Sequence, residues 1–283
     1  MEHRGRIAVL MTPPVLWLVL LFLLPMAIMA LFSFRAGTFG AERDIFTLEH
    51  YREFFQNAGF QRLLWQSAVT ALLTSAFSIL LAYPIAYFLA FRARSMQLTL
   101  LTILIVPAWT SYLLRILAWK LILGSNGLLN SFLLSAGLIE EAAPILLYSR
   151  AAVVVTLVYV WIPFVTLPIF SALQRIDRSL LEAAADLGCA PWEVFLRVTL
   201  PLSLPGVVAG FFFVFIPTLG EWVTPSFVGG VEGTMYGNLI QDQFVRALNW
   251  PLGSLMSLVM LILVIVQIFI FSRVVRLSDL AGV

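Results

Sequence analysis

Apolar residues fall along this chain in six long runs: Leu10–Phe34, Leu63–Phe91, Leu98–Leu123, Ala151–Leu173, Leu204–Val223 and Leu252–Phe271. Each can cross a hydrocarbon core as a helix, which takes about 20 residues. Backbone in lipid must satisfy its own polar groups, so the runs predict helices and not open sheet. Between the fourth and fifth runs lies a polar island, Asp177 to Pro205. Asp177 offers a side-chain acceptor to the free amides that begin a helix. Gly188 offers the left-handed residue that ends one, so a helix from about Arg178 to Leu187 is expected. Pro191 suits the first turn of a second helix, which Pro201 is expected to stop. Two short helices joined at a glycine are more than a connector needs. The island reads as a docking surface.

The pattern also predicts shape within the runs. Pro13, Pro14 and Pro25 lie in the first, Tyr83-Pro84 is expected to bend the inner end of the second, and Val106-Pro107 to kink the third. Trp161-Ile-Pro163 and Pro168 interrupt the fourth, and Phe211 to Pro217 leads through the fifth. Ser67, Thr70, Thr74, Ser75 and Ser78 give the second run a face of small hydroxylated residues suited to close helix contact. Outside the runs, Thr47 can cap a short helix with Tyr51, Phe54 and Phe55 as its apolar part. That helix is read either as resting at the membrane edge or as docking a partner. Gly127 to Gly137 is expected to form a short interfacial or re-entrant helix. The stretch from Gly229 to Phe244, rich in glycine, reads as a structured outer loop able to move.

Composition agrees with this class. Hydrophobic residues make up 61% and charged residues 11% of 283, against about 25% charged in soluble domains. The expectation is an all-α polytopic membrane protein with six transmembrane helices. A net charge of +2 carries no basic patch, so no nucleic-acid partner is expected. The single Cys189 excludes an internal disulfide and a cysteine metal cluster. Arg4 and Arg6 precede the first run, but it is longer than a signal-peptide core and no Ala-x-Ala pattern follows, so it is read as a retained span.

Charge favours an inside N-terminus by a small margin. The inner side then holds Arg4, Arg6, Arg92, Arg94, Arg175, Arg178, Arg197, Arg273 and Arg276. The outer side holds Arg35, Arg43, Arg52, Arg62, Arg150 and Arg246, with Arg115 and Lys120 near the outer end of the third run. Both chain ends then lie in the cytoplasm. The chain divides into residues 1–62, an N-terminal span and outer loop; 63–273, a core whose loop 174–203 carries the polar island; and 274–283, a cytoplasmic tail.

Chemistry inside the runs is sparse. Tyr112, Arg115 and Trp119 fall within about 60° on one helix face, with Trp109 adjacent. This stripe is either an interfacial aromatic belt with a snorkelling arginine or the lining of a solute path. Glu221, followed by Trp222, is the only carboxylate in the six runs. An acid at membrane depth is a functional candidate unless it sits at the boundary or pairs with Arg115 or Lys120. There is no G-x-x-x-x-G-K-[ST] phosphate loop, no H-E-x-x-H and no G-x-S-x-G, and His3 and His50 lie outside the runs. No catalytic set and no metal site are expected. Neither repeat symmetry nor a set of midplane acids supports a secondary transporter working alone, which is the rival class. A transport subunit driven from outside remains.

The polar island carries a family pattern. Glu182-Ala183-Ala184, Gly188 six residues after the glutamate, and Val198-Thr199-Leu200-Pro201 resemble the Glu-Ala-Ala loop of ABC importer permeases. One position departs, where that family has Ile and this chain has Val198. Phe46-Thr-Leu-Glu-His-Tyr, Val106-Pro-Ala-Trp-Thr, Gly237-Asn-Leu-Ile, Gln243-Phe and Trp250-Pro are similar to the spermidine/putrescine permease branch. Importers of opines, aminophosphonates and other organic cations share much of that pattern. The resemblance implies the type I ABC importer permease fold, with a cytoplasmic coupling helix between spans four and five, in a bacterial inner membrane. It implies a second, similar permease, two ATP-binding subunits that carry the ATP and Mg, and a soluble periplasmic substrate-binding protein. This chain itself would bind no cofactor and would not be an enzyme. Arg178, Glu182, Ala183, Ala184, Asp186, Gly188 and Pro201 would serve coupling. Trp109, Tyr112, Trp161, Glu221 and Trp222 are the expected path residues for a cationic solute, with Arg115 opposing a purely cation-attracting lining.

Overall fold

The computed structural model describes residues 2–141 and 147–274, so Arg276 and the expected tail from 275 lie outside the described residues. In chain order, α1 is helical from Glu2 to Phe32 through a π-helical turn at Val19–Leu23. It is followed by α2 (Glu49–Gln56), α3 (Ala58–Phe91), α4 (Gln97–Ile105), α5 (Tyr112–Leu123) and α6 (Leu128–Ser135). Then come α7 (Arg150–Gln174), α8 (Arg178–Asp186), α9 (Pro191–Leu219, through a π-helical turn at Phe195–Thr199), α10 (Tyr236–Val245) and α11 (Trp250–Val274). Six helices are long and apolar enough to cross a membrane: Leu10–Phe32, Ala58–Phe91, Tyr112–Ser135, Arg150–Gln174, Pro191–Leu219 and Trp250–Ile270. No strand is present among the described residues.

The third span departs from expectation. It is two helices and not one kinked one. After α4 a 3-10 turn at Val106–Trp109 gives way to Thr110 and Ser111 in extended conformation, and α5 starts afresh at Tyr112. Pro107 removes a backbone donor. Thr110 then turns its amide and its hydroxyl onto the Pro107 carbonyl, at 3.2 and 2.7 Å. With this local partner the break is tolerated at depth. By contrast α3 stays helical through Pro84, and α7 through Pro163 and Pro168. The fifth span is also corrected at both ends. It starts upstream at Pro191, so Pro201 does not stop a helix, and it finishes at Leu219, leaving Glu221 and Trp222 beyond it.

Two compact units are present, one of Met1–Arg62 with Leu239–Val266 and the other of Leu63–Asn238 with Gln267–Val283. In the first, Thr47 accepts the Glu49 amide at 3.1 Å to start α2, as its position predicts. Phe54 is buried there between Phe55 and Phe60, and Tyr51 stacks on Phe34. Thr38 joins the two parts of this unit, donating to the Leu248 carbonyl and accepting from the Trp250 amide.

In the second unit α7 is the central helix. Its C-terminal part packs Val165, Ile169, Phe170 and Leu173 against Ala82, Tyr83, Ala86 and Leu89 of α3. Its N-terminal part packs Ala152, Val153 and Leu157 against Ile116 and Leu123 of α5, with Val228 and Met235. The α7–α9 contact depends on absent side chains. A Cβ on Gly206 would strike the Pro168 carbonyl and Ala172, and one on Gly210 would crowd Val165. This small-xxx-small pairing allows backbone approach in a bilayer, where apolar burial alone does not drive helices together.

Candidate functional site

The polar island folds as its capping residues dictate. Asp177 accepts the Ser179 amide at 3.0 Å, which starts α8 and holds this carboxyl below the ordinary aspartate range. The helix ends at Gly188, where φ is +87° and the Gly188 and Cys189 amides bond back to the Ala185 and Ala184 carbonyls. That closure needs a left-handed residue, which glycine adopts without steric cost. Pro191 then opens α9, and Glu193 accepts the Ala190 amide at 2.9 Å while pairing with Arg197 at 3.4 Å.

Only one side of α8 is covered. Leu181 packs on the core of α3 and α7, and Ala184 is half-buried beside it in the helical register. Arg178, Glu182, Ala183, Asp186 and Gly188 are exposed, as are Leu180, Leu187 and Trp192. Among the described residues Arg178, Glu182 and Asp186 make no ion pair. Leu187 is 85% exposed, and together with Trp192 makes an apolar outer patch bordered by unpaired charges.

Behind this patch there is no joint. From Pro191 to Leu219 the chain is helical, and the π turn explains how Pro201 is carried: the Leu200 amide reaches the Phe195 carbonyl, five residues back. One extra residue in the turn absorbs the missing proline donor. Tyr83 of α3 bonds Ser203 through its hydroxyl at 2.8 Å and meets Phe195 edge-on, as does Tyr87. Displacing the start of α9 therefore moves a membrane span directly, and α8 is linked to that start through the hydrogen-bonded turn at Gly188. The sequence had signalled the surface through its caps and glycine. It had not signalled Tyr83, Ser203 and Phe195, whose pairing spans more than a hundred residues.

The expected path residues separate into groups. Tyr112 donates to Glu221 Oε2 at 2.8 Å and shares a hydrogen bond with Thr224. Glu221 Oε1 accepts the Val223 and Thr224 amides at 2.8 and 3.0 Å. Both carboxylate oxygens are thus engaged, Oε1 in capping the turn that follows α9 and Oε2 by Tyr112. Asn238 donates to the Trp222 carbonyl and to Ser226, and accepts the Met235 amide. Gly237 lies so close to Gly220 and Glu221 that a Cβ would strike their carbonyls. The glycine-rich stretch is therefore packed here, with Val228, Met235 and Tyr236 buried. Thr224 and Asn238 were missed; Pro225, a helix-start residue just after Glu221, was the available signal.

The other aromatic candidates stand apart. Trp109 is 82% exposed in the 3-10 turn, and Trp222 is 44% exposed. Trp161 packs edge-on against Phe164 and Phe213 with its indole nitrogen buried and without a hydrogen-bond partner. Arg115 lies 5.8 Å from the Tyr112 ring centroid and makes no ion pair among the described residues. It lines a cavity of about 430 Å³ whose walls are otherwise apolar, including Ile103, Pro107, Tyr159 and Pro163. No group of three or more potential metal ligands occurs among the described residues.

An exposed helix tied to a span matches what the chain is related to. It is 35% identical over 93% of its length to the spermidine/putrescine transport system permease protein PotB of Escherichia coli (strain K12), covering 95% of that protein. It is 27% identical to the putative 2-aminoethylphosphonate transport system permease protein PhnU of Salmonella typhimurium (strain LT2), with 88% of each chain covered. A solved bacterial alginate ABC transporter, in complex with an alginate pentasaccharide-bound periplasmic protein, shares the fold with a TM-score of 0.75 at 16% identity, over 98% of this chain and 96% of that one. The family model for the inner membrane component of binding-protein-dependent transport systems matches residues 4–280. The chain belongs to that family: it is a multi-pass inner-membrane permease of the type I ABC importer fold.

Proposed function

We propose that this permease imports polyamines, and that α8 with the start of α9 is the coupling element through which separate ATP-hydrolysing subunits drive it. The observation that carries the reading is the exposed, capped helix Arg178–Asp186, joined by a hydrogen-bonded turn at Gly188 to the unbroken helical span Pro191–Leu219. Its partners are a second permease, two ATP-binding subunits docked on this surface, and a soluble substrate-binding protein on the opposite side. Both termini lie on the coupling side, in the cytoplasm. ATP and Mg are held by the partner subunits and not by this chain.

The mechanism is alternating access. ATP closure draws the coupling helices of the two permeases together, and α9 tilts because the turn at Gly188 is closed by hydrogen bonds and the helix is unbroken from Pro191 onward. The binding protein then releases solute to an outward-open cavity, and hydrolysis restores the inward state. Coupling of this kind requires contacts that differ between the two states. The exposed Leu187 and Trp192, with the unpaired Glu182 and Asp186, are the groups free to supply them.

Polyamine as cargo is supported by the 35% identity to a spermidine/putrescine permease over 93% of the chain. Aromatic faces near the path, Trp109, Tyr112, Trp161 and Trp222, suit ammonium groups. Glu221 is already engaged by Tyr112 and two amides, so it shapes the path from behind. A second reading, a permease for an anionic or zwitterionic solute such as an aminophosphonate, is favoured by Arg115 in its apolar cavity. The deciding measurement is substrate-stimulated ATP hydrolysis by the co-purified transporter with its binding protein. Stimulation by spermidine or putrescine supports the first reading, and stimulation by an aminophosphonate alone replaces it. Co-purification of no ATPase would overturn both.

A further inference from the structure

In the second unit, a groove of about 670 Å³ runs between α3 and α7. Leu73, Phe77 and Leu81 form one wall at four-residue spacing, and Val155 and Tyr159 form the other. Val154 and Val158, both buried, make the floor. Trp119 and Arg150 join the lining where α7 begins, and Trp119 lies 5.5 Å from Tyr159 between ring centroids. Between Ala151 and Ile162 the groove extends about 16 Å, half of a hydrocarbon core of about 30 Å. That is the depth of one leaflet.

Arg150 gives this groove its character. It is the first residue of α7, where the helix macrodipole opposes a cation. The first turn of α7 carries no acid, and Arg150 makes no ion pair among the described residues. Its charge therefore contributes nothing visible to the fold, yet it stands over an apolar channel at the level where tryptophan marks a membrane interface. A long apolar slot with one cation at its mouth complements an acyl chain ending in a negatively charged headgroup. A protein segment on this face would have to fill the slot and bring its own acid to Arg150.

We propose that this groove binds one anionic phospholipid, its acyl chain along Phe77 and Val155 and its phosphate held by Arg150. The site is separate from the coupling surface and does not depend on which solute is carried. A bound lipid would hold the outer halves of α3 and α7 together and make transport sensitive to headgroup composition.

The test is native mass spectrometry of the full chain within its purified transporter, loaded with an equimolar mixture of phosphatidylglycerol and phosphatidylcholine of identical acyl chains. Wild type should retain phosphatidylglycerol about fivefold better, the effect of about one basic residue at a membrane surface. Arg150→Gln should bring the ratio to about one, while Arg150→Lys keeps it and shows that the fold is intact. Val155→Trp, which fills the slot, should reduce retention of both lipids together. Equal retention by wild type, or an unchanged ratio in Arg150→Gln, overturns the proposal. So does high-yield crosslinking from Phe77→Cys to a second polypeptide, because the groove would then be a protein interface.

Discussion

The coupling surface and the Tyr112–Glu221 knot are both polar breaks in apolar sequence, yet their polar groups are used in opposite ways. In α8, Arg178, Glu182 and Asp186 point outward with no ion-pair partner among the described residues. In the knot, Glu221 alone takes three hydrogen bonds, from Tyr112, Val223 and Thr224. A polar group in an apolar setting is costly unless it is satisfied. Where water reaches it, it can stay free for a partner; where the bundle encloses it, it must be spent internally. The first arrangement makes a handle and the second makes a scaffold.

That contrast predicts different consequences for substitution. The largest effect is expected at Glu221. Replacing it with Ala strands two amides and removes the bond from the Tyr112 hydroxyl, which keeps Thr224, costing about 3 kcal/mol of stability at roughly 1 kcal/mol per lost hydrogen bond. The thermal midpoint of the purified protein should fall, with uptake lost in proportion to folded protein. A variant of normal stability but altered affinity for solute would instead make Glu221 a binding residue.

Gly188→Val comes next. A β-branched residue at φ +87° has no relaxed conformation, and the strain is about 1–2 kcal/mol. The cost should unwind the end of α8 locally, so ATP hydrolysis should continue while uptake drops severalfold. Full uptake by this variant would separate α8 from coupling. Leu187→Asp should leave stability within about 0.5 kcal/mol, as expected of an exposed site, while reducing co-purification of the ATPase. If stability falls and assembly does not, the patch is a packing surface and the contrast fails.

The smallest effect is at the cap. Its carboxyl lies below the ordinary aspartate range in the folded state because the Ser179 amide donates to it. The cap is therefore fully present above the ordinary carboxylate range and is lost as pH falls through the lower folded value. The protection of the Ser179 amide, relative to its intrinsic exchange rate at each pH, should be high at neutral pH and fall on acidification. Asp177→Ala should remove that pH dependence, and its persistence in the variant would assign the protection to another group.

How far each region was legible follows from how local its signals are. Asp177, Gly188 and Pro191 each act on residues within a few positions, so α8 could be placed to within one residue at its end. The family pattern from Glu182 to Pro201 is the source of the coupling role proposed for this surface. Pro201 misled because whether a proline ends a helix depends on whether the preceding turn can widen, and the π turn at Phe195–Thr199 does so here. Pro107 foretold a disturbance in the third span but not a full break. The break is set by how Thr110 finds a partner in the Pro107 carbonyl.

Glu221 marks the limit of local reading. As a lone acid at the end of an apolar run it reads as a solute ligand; its Oε1 caps the local Val223 and Thr224 amides, and Tyr112, 109 positions away, occupies the oxygen that would be left for a solute. Span number, helical class and the coupling surface were determined by the sequence itself, because hydrophobic length and capping are properties of neighbouring residues. Which helices touch, which polar groups are consumed and which remain open were decided by the tertiary structure alone. Those outcomes depend on partners brought together across the chain, where the absence of a Cβ at Gly206 or a hydroxyl on Tyr83 matters only once the facing surface is in place.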